Sequence, residues 1–144
     1  MKSRTKARGI ALQVLYEYDQ TMHPLGVSLA ARFDEEKIDP KILDFSTEII
    51  NGVIPIVEDL DILLAKHAPE WPMDQVAIID RNILRMALWE FAVAQITPTK
   101  VAINEAIELA KIFGSDSSSR FVNGVLGSLV DHISEIKDHF STRS

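Results

Sequence analysis

The chain has 144 residues, no cysteine, and 15 basic against 21 acidic side chains, for a net charge of −6. Such a length suits one compact unit or two closely packed halves, burying about 68 to 70% of the unfolded surface without disulfide or metal staples. No run approaches the roughly 20 apolar residues of a membrane span, and zero cysteines point to a reducing compartment, read as the cytoplasm. The basic start followed by Ile10 to Tyr16 differs from a secretory leader, because Gln13 interrupts the apolar run and Glu17 and Asp19 close it. The acidic total alone argues against a nucleic-acid binder, but the charge is unevenly spread. Residues 1–8 carry Lys2, Arg4, Lys6 and Arg8 with no acid, or +4, leaving eleven basic and twenty-one acidic side chains on the rest, or −10. A cationic arm on an acidic body grips phosphates while the body repels non-specific contact. A solvated, disordered N-terminus is the alternative.

Apolar residues recur at helical spacing along the chain and nowhere alternate with a period of two over a useful length, which predicts an all-α fold of about seven helices. The first helix covers about 3–21, with Ala7, Ile10, Ala11, Val14, Leu15 and Tyr18 on one stripe. Lys2, Lys6, Gln13, Tyr16 and Gln20 fall on another face, offering cations, amides and a phenol. Pro24 to Gly26 ends this helix, and a second is expected over about 27–36. A long helix over about 41–67 is capped near Asp39 with Pro40 behind it, and Pro55 should kink it. The segment 68–72, with two prolines, divides the chain into an N-terminal helical subdomain, 1–68, and a C-terminal bundle, 73–144.

The second half opens with a helix over about 73–94 that is apolar almost all round, as a central bundle helix would be. Arg81, Arg85 and Glu90 interrupt it, and buried charges of this kind must be paired or reach an edge. Thr97 is an N-cap with Pro98 at the first helical position of a helix running to Phe113. Gly114 is expected to close it in the left-handed conformation. One of Ser117, Ser118 and Ser119 then caps a last helix that opens on Arg120 and Phe121. Its stripe of Phe121, Val122, Val125, Leu126, Leu129, Val130 and Ile133 contains Gly124 and Gly127, which suggest close approach by a helix or ligand. The tail after Ile136 is polar and expected to fray.

Signals for catalysis are poor. The histidines at 23, 67, 132 and 139 show no ligand spacing, so neither a metal nor a cofactor is expected, and no phosphate-cradling glycine loop occurs. Glu105, Glu108 and Lys111 read as a solvated helix face. Phe113 and Phe121, beside a turn rich in hydroxyls and amides with Arg120 at hand, suit an RNA strand at least as well as a plain loop.

The runs VAINEAIELAKIFG and FVNGVL, with ILRMALWE upstream and KARGIALQVLYEYD near the start, closely resemble the NusB family of transcription antitermination factors, over essentially the whole chain. The resemblance implies two helical bundles packed together, no enzymatic activity, and a complex with a small-subunit ribosomal protein acting as NusE. That heterodimer would bind single-stranded box A RNA of ribosomal RNA operons and join the elongating RNA polymerase with other Nus factors. Matched by position, it implies RNA contacts from Lys2, Arg4, Lys6, Arg8, Gln13, Tyr16, Phe113, Ser117, Arg120 and Phe121, and a protein-partner contact at Asp80. Phe113, Arg120 and Phe121 would form one wall of the RNA groove, and Lys6, Arg8 and Tyr16 the other. Some relatives carry an aspartate where Ser117 stands, and the arginine-rich start is sparser here, so RNA affinity is expected to differ. A NusB-like accessory for ribosomal RNA processing or modification is the alternative function, and a helical adaptor binding protein alone is another. The free chain as monomer or homodimer stays open, because the stripes on the outer helices can be satisfied internally or across a two-fold axis.

Overall fold

The computed structural model describes residues 2–21 and 38–141, and among these the chain forms seven α-helical segments and no strand. They are α1 (Ser3–Thr21), α2 (Pro40–Val53), α3 (Val57–His67), α4 (Ile78–Leu88), α5 (Thr99–Phe113), α6 (Ser118–Val130) and α7 (Ile133–Ser141). The all-α expectation holds, while the helix expected over 27–36 lies outside the described residues.

Local signals set several boundaries. The Asp39 carboxylate accepts the Lys41 amide at 2.8 Å with Pro40 in the first turn, so α2 starts where its cap predicts. Pro55 has no N–H to donate and its ring crowds the preceding turn, which splits the expected long helix into α2, a 3-10 turn at Ile54–Ile56, and α3. The central helix starts later than expected. After Pro72 a 3-10 turn at Met73–Gln75 runs into extended Val76, and α4 begins only at Ile78.

Helix α4 packs against α1, α2, α3, α5 and α6, while α1 lies mainly along α2 and α5 along α6. Leu12, Leu15, Ile49, Leu60, Leu64, Ile83, Leu84, Phe91 and Leu109 are fully buried in one cluster that draws on both sides of the proline segment. Each such side chain contributes about 1.5–3 kcal/mol relative to exposure. Past Leu88 the helix widens into a π turn, Trp89–Val93, where the Ala94 amide donates to the Trp89 carbonyl at 2.9 Å. Gln95, at a left-handed φ of 52°, ends it. Trp89 lies flat on α2 where Gly52 has no side chain; a Cβ there would run into the indole.

Arg85, the buried cation of α4, is paired, as burial demands. Arg85 holds Asp61 of α3 in a bidentate pair at 2.8 and 2.7 Å and Asp19 of α1 at 2.8 Å. Burial alone would lower its pKa, but hydrogen bonds and charge from Asp61 and Asp19 outweigh that and raise it.

The helical hairpin departs from expectation at its ends. Thr97 does not cap α5: its hydroxyl donates to the Glu90 carboxylate at 2.8 Å, and the N-cap position falls to Pro98. Gly114 is extended, at φ −92° and ψ −171°, not left-handed. It is needed because a Cβ would meet the Ser118 side chain and the Ala110 carbonyl. Ser118 Oγ accepts the Ser115 amide at 2.9 Å and shapes the turn, whereas Ser117 holds the N-cap position of α6 without a side-chain bond to the helix amides. Gly124 and Gly127 lie on the exposed side of α6, and among the described residues nothing stands within 4 Å of a Cβ at Gly127, so no close approach by them explains it. The chain turns at Asp131 and His132, and the tail is helical through Ser141, anchored by fully buried Ile136.

Candidate RNA interface

The start of α1 presents its cations selectively. Lys2, Arg4 and Lys6 are exposed, and the Arg4 guanidinium sits over the Phe45 ring at 4.3 Å, one face covered. Arg8 does not reach solvent. It is 3% exposed, and its Nε and Nη2 donate to the two oxygens of Glu90 at 2.9 and 2.8 Å. Arg8 therefore departs from its expected phosphate role: α1 buries that position against the π turn, where the guanidinium needs a carboxylate. Its Nη1 lies 3.6 Å from Glu105, which accepts the Thr5 hydroxyl at 3.1 and 2.9 Å, so Glu105 is not part of a solvated face either. The resulting network of Arg8, Glu90, Thr97, Glu105 and Thr5 fixes α1 against α5.

Along the other face of α1, Lys2, Lys6, Gln13 and Tyr16 follow at helical steps, spanning about 21 Å at about 1.5 Å per residue. Gly9 falls within that strip, and the Phe113 ring covers it, 3.1 Å from where its Cβ would stand. Phe113, at the end of α5, thus reaches the α1 strip and shares a cleft with Tyr16. The two rings line a cleft of about 290 Å³ together with Ile78, Ile79, Asp80, Gly114 and Ser115. Phe121 and Ser117 line a second cleft of about 350 Å³ with Trp71, Pro72, Val76 and, again, Asp80.

Trp71 meets Phe121 edge-on, with centroids 6.1 Å apart and planes at 84°. Both phenylalanines are half-buried, each offering part of a ring, and Arg120 is exposed beside Phe121. Asp80 lines both clefts, 8% exposed, and its buried Oδ1 has no hydrogen-bond partner among the described residues. Trp71 is the residue that sequence reasoning missed. A large aromatic between two prolines, in a segment too irregular to pack it fully, was the available signal.

The model of the NusB family matches residues 5–131. Transcription antitermination protein NusB of Herpetosiphon aurantiacus is 46% identical over 131 residues, covering 89% of this chain and 90% of that protein. The protein of the same name from Bacillus subtilis is 42% identical over 135 residues, covering 94% and 99%. In three dimensions the chain is similar, with a TM-score of 0.78 and 23% identity over 96% of its length and 98% of the other, to a chain of a crystal structure of antitermination factors NusB and NusE in complex with dsRNA, a likeness of fold.

Proposed function

Because the chain belongs to the NusB family, we propose that it is a cytoplasmic transcription antitermination factor that binds single-stranded box A-type RNA together with a small-subunit ribosomal protein acting as NusE. The complex joins the elongating RNA polymerase with other Nus factors. One observation carries the RNA reading: a strip of exposed cations on α1 leads into two neighbouring clefts, each lined by an aromatic ring of the α5–α6 hairpin. Lys2, Arg4 and Lys6 neutralise phosphates, as does Arg120 at the far side. Gln13 and the Ser117 hydroxyl supply hydrogen bonds. Tyr16, Phe113 and Phe121 stack on unstacked bases, each stack contributing about 1–3 kcal/mol. Arg8 acts from inside, holding the cationic strip in place. Asp80, which lines both clefts, is the contact for the protein partner at the edge of the RNA path. No catalytic step enters this reading.

Titration of a fluorescent box A-type RNA, with and without the ribosomal protein, over a range of salt tests it. With three or four phosphates neutralised, log K falls against log salt with a slope of roughly −2 to −3. Phe121→Ala weakens binding by about 5- to 150-fold, corresponding to one lost stack. The ring's contact with Trp71 favours a competing reading as a helical adaptor whose aromatics are only core. That reading wins if the variant melts lower yet binds RNA normally, and absence of RNA binding with the ribosomal protein present overturns the antitermination function.

A further inference from the structure

A second cluster of ionisable side chains lies where the C-terminal end of α3 meets the corner between α6 and α7. His67 is the last residue of α3, His132 lies in the break before α7, and Glu135 is in the first turn of α7. The two imidazole rings are 4.5 Å apart between centroids and tilted by 30°. His132 Nδ1 stands 3.9 Å from Glu135 Oε2. One donor atom from each of the three side chains lies within 4.8 Å of the other two. Lys66 donates to Glu135 Oε1 at 3.1 Å, which turns the second carboxylate oxygen toward the histidines.

We propose that His67, His132 and Glu135 form a binding site for one Zn2+ ion, with water completing the tetrahedron, and that the bound ion ties α3 to the α6–α7 corner. Two imidazoles and one carboxylate are a donor set that zinc accepts, and three protein ligands leave one position for water. Bonds of about 2.0–2.2 Å place tetrahedral donors about 3.3–3.6 Å apart. Side-chain rotation supplies the remaining approach, because His132 and Glu135 are 47% and 57% exposed and free to turn. Lys66 plays the part of an outer-shell donor that orients a ligating carboxylate. Its positive charge also opposes the ion and weakens binding. The inference is independent of the RNA reading, since none of these residues lines the two aromatic clefts.

The full-length chain, stripped with EDTA and dialysed, is titrated with zinc chloride by isothermal calorimetry. Expected is one saturable site per chain, weakened at least tenfold in His67→Asn and in His132→Asn, several-fold in Glu135→Gln, and unchanged in His23→Asn. The melting temperature of the parent chain rises with zinc, and that of His67→Asn does not. Circular dichroism checks that the variants are folded, and Glu135→Gln, at an exposed position, serves if a histidine variant is not. The proposal is overturned if the parent chain shows no saturable binding, or if binding survives loss of His67 and of His132, or moves with His23 instead.

Discussion

Removing Glu90 separates the two roles that Arg8 could play. The carboxylate accepts from Arg8 Nε at 2.9 Å, Arg8 Nη2 at 2.8 Å and the Thr97 hydroxyl at 2.8 Å, all buried. In Glu90→Ala all three donors lose that acceptor, and the guanidinium, 4% exposed, keeps among the described residues Glu105 at 3.6 Å and the Phe45 ring at 5.3 Å. Breaking a buried pair by deleting one partner costs about 3–5 kcal/mol. At about 4 °C per kcal/mol for a domain of this size, the melting temperature falls by roughly 12–20 °C. The double variant Arg8→Met, Glu90→Leu falls by much less than the two single losses together, because no charge is left behind. Urea and thermal unfolding of the parent, Arg8→Met, Glu90→Leu and the double variant measure the coupling, and RNA titration of the folded ones follows binding. If Arg8→Met melts within a degree or two of the parent while RNA affinity collapses, Arg8 is a phosphate ligand and the burial reasoning fails.

Gly127→Ala stabilises α6 by about 0.5–1 kcal/mol, a rise of a few degrees in melting temperature, since the position is helical and open to solvent; a lower value shows that something does pack there. The His67 pKa is held below its ordinary 6.5 by burial first, then by the like charge of His132 and of Lys66, against the opposing pull of Glu135. A depressed histidine binds its proton more readily when unfolded. Its contribution to stability is therefore complete above about 6.5 and declines as pH falls toward the folded value. With a chelator present, melting temperature should decline over that window and His67→Asn should flatten the profile; an identical slope in the variant refutes the assignment.

Features set by neighbours in the chain were legible in the sequence, and features set by neighbours in space were not. The cap at Asp39, the break at Pro55 and the apolar stripes of α1 and α6 each depend on residues within a turn or two. By contrast, Arg8 reads as the fourth cation of an arm in which only the first three stay in solvent. Nothing beside it announces a carboxylate 82 positions away. Thr97 reads as a cap because threonine before proline commonly is one, yet a buried Glu90 oxygen is the stronger attraction. Phe113 reads as an aromatic of the hairpin, and its packing onto Gly9 of α1 emerges only once the partner helix is known. The meeting of His67 with His132 has the same origin.

The π turn at Trp89–Val93 makes this stretch sensitive to length in a way that no side chain is. A π turn is an α-helical turn holding one residue too many. Deleting a single residue from it would restore a regular helix and swing everything beyond, α5 included, by about 100° around the axis. Glu90 would stay beside Arg8 while Thr97 rotated away from both. An in-frame loss of one codon here would thus do more harm than most substitutions at the same positions, and the segment's residue count is as much a part of its specification as its chemistry.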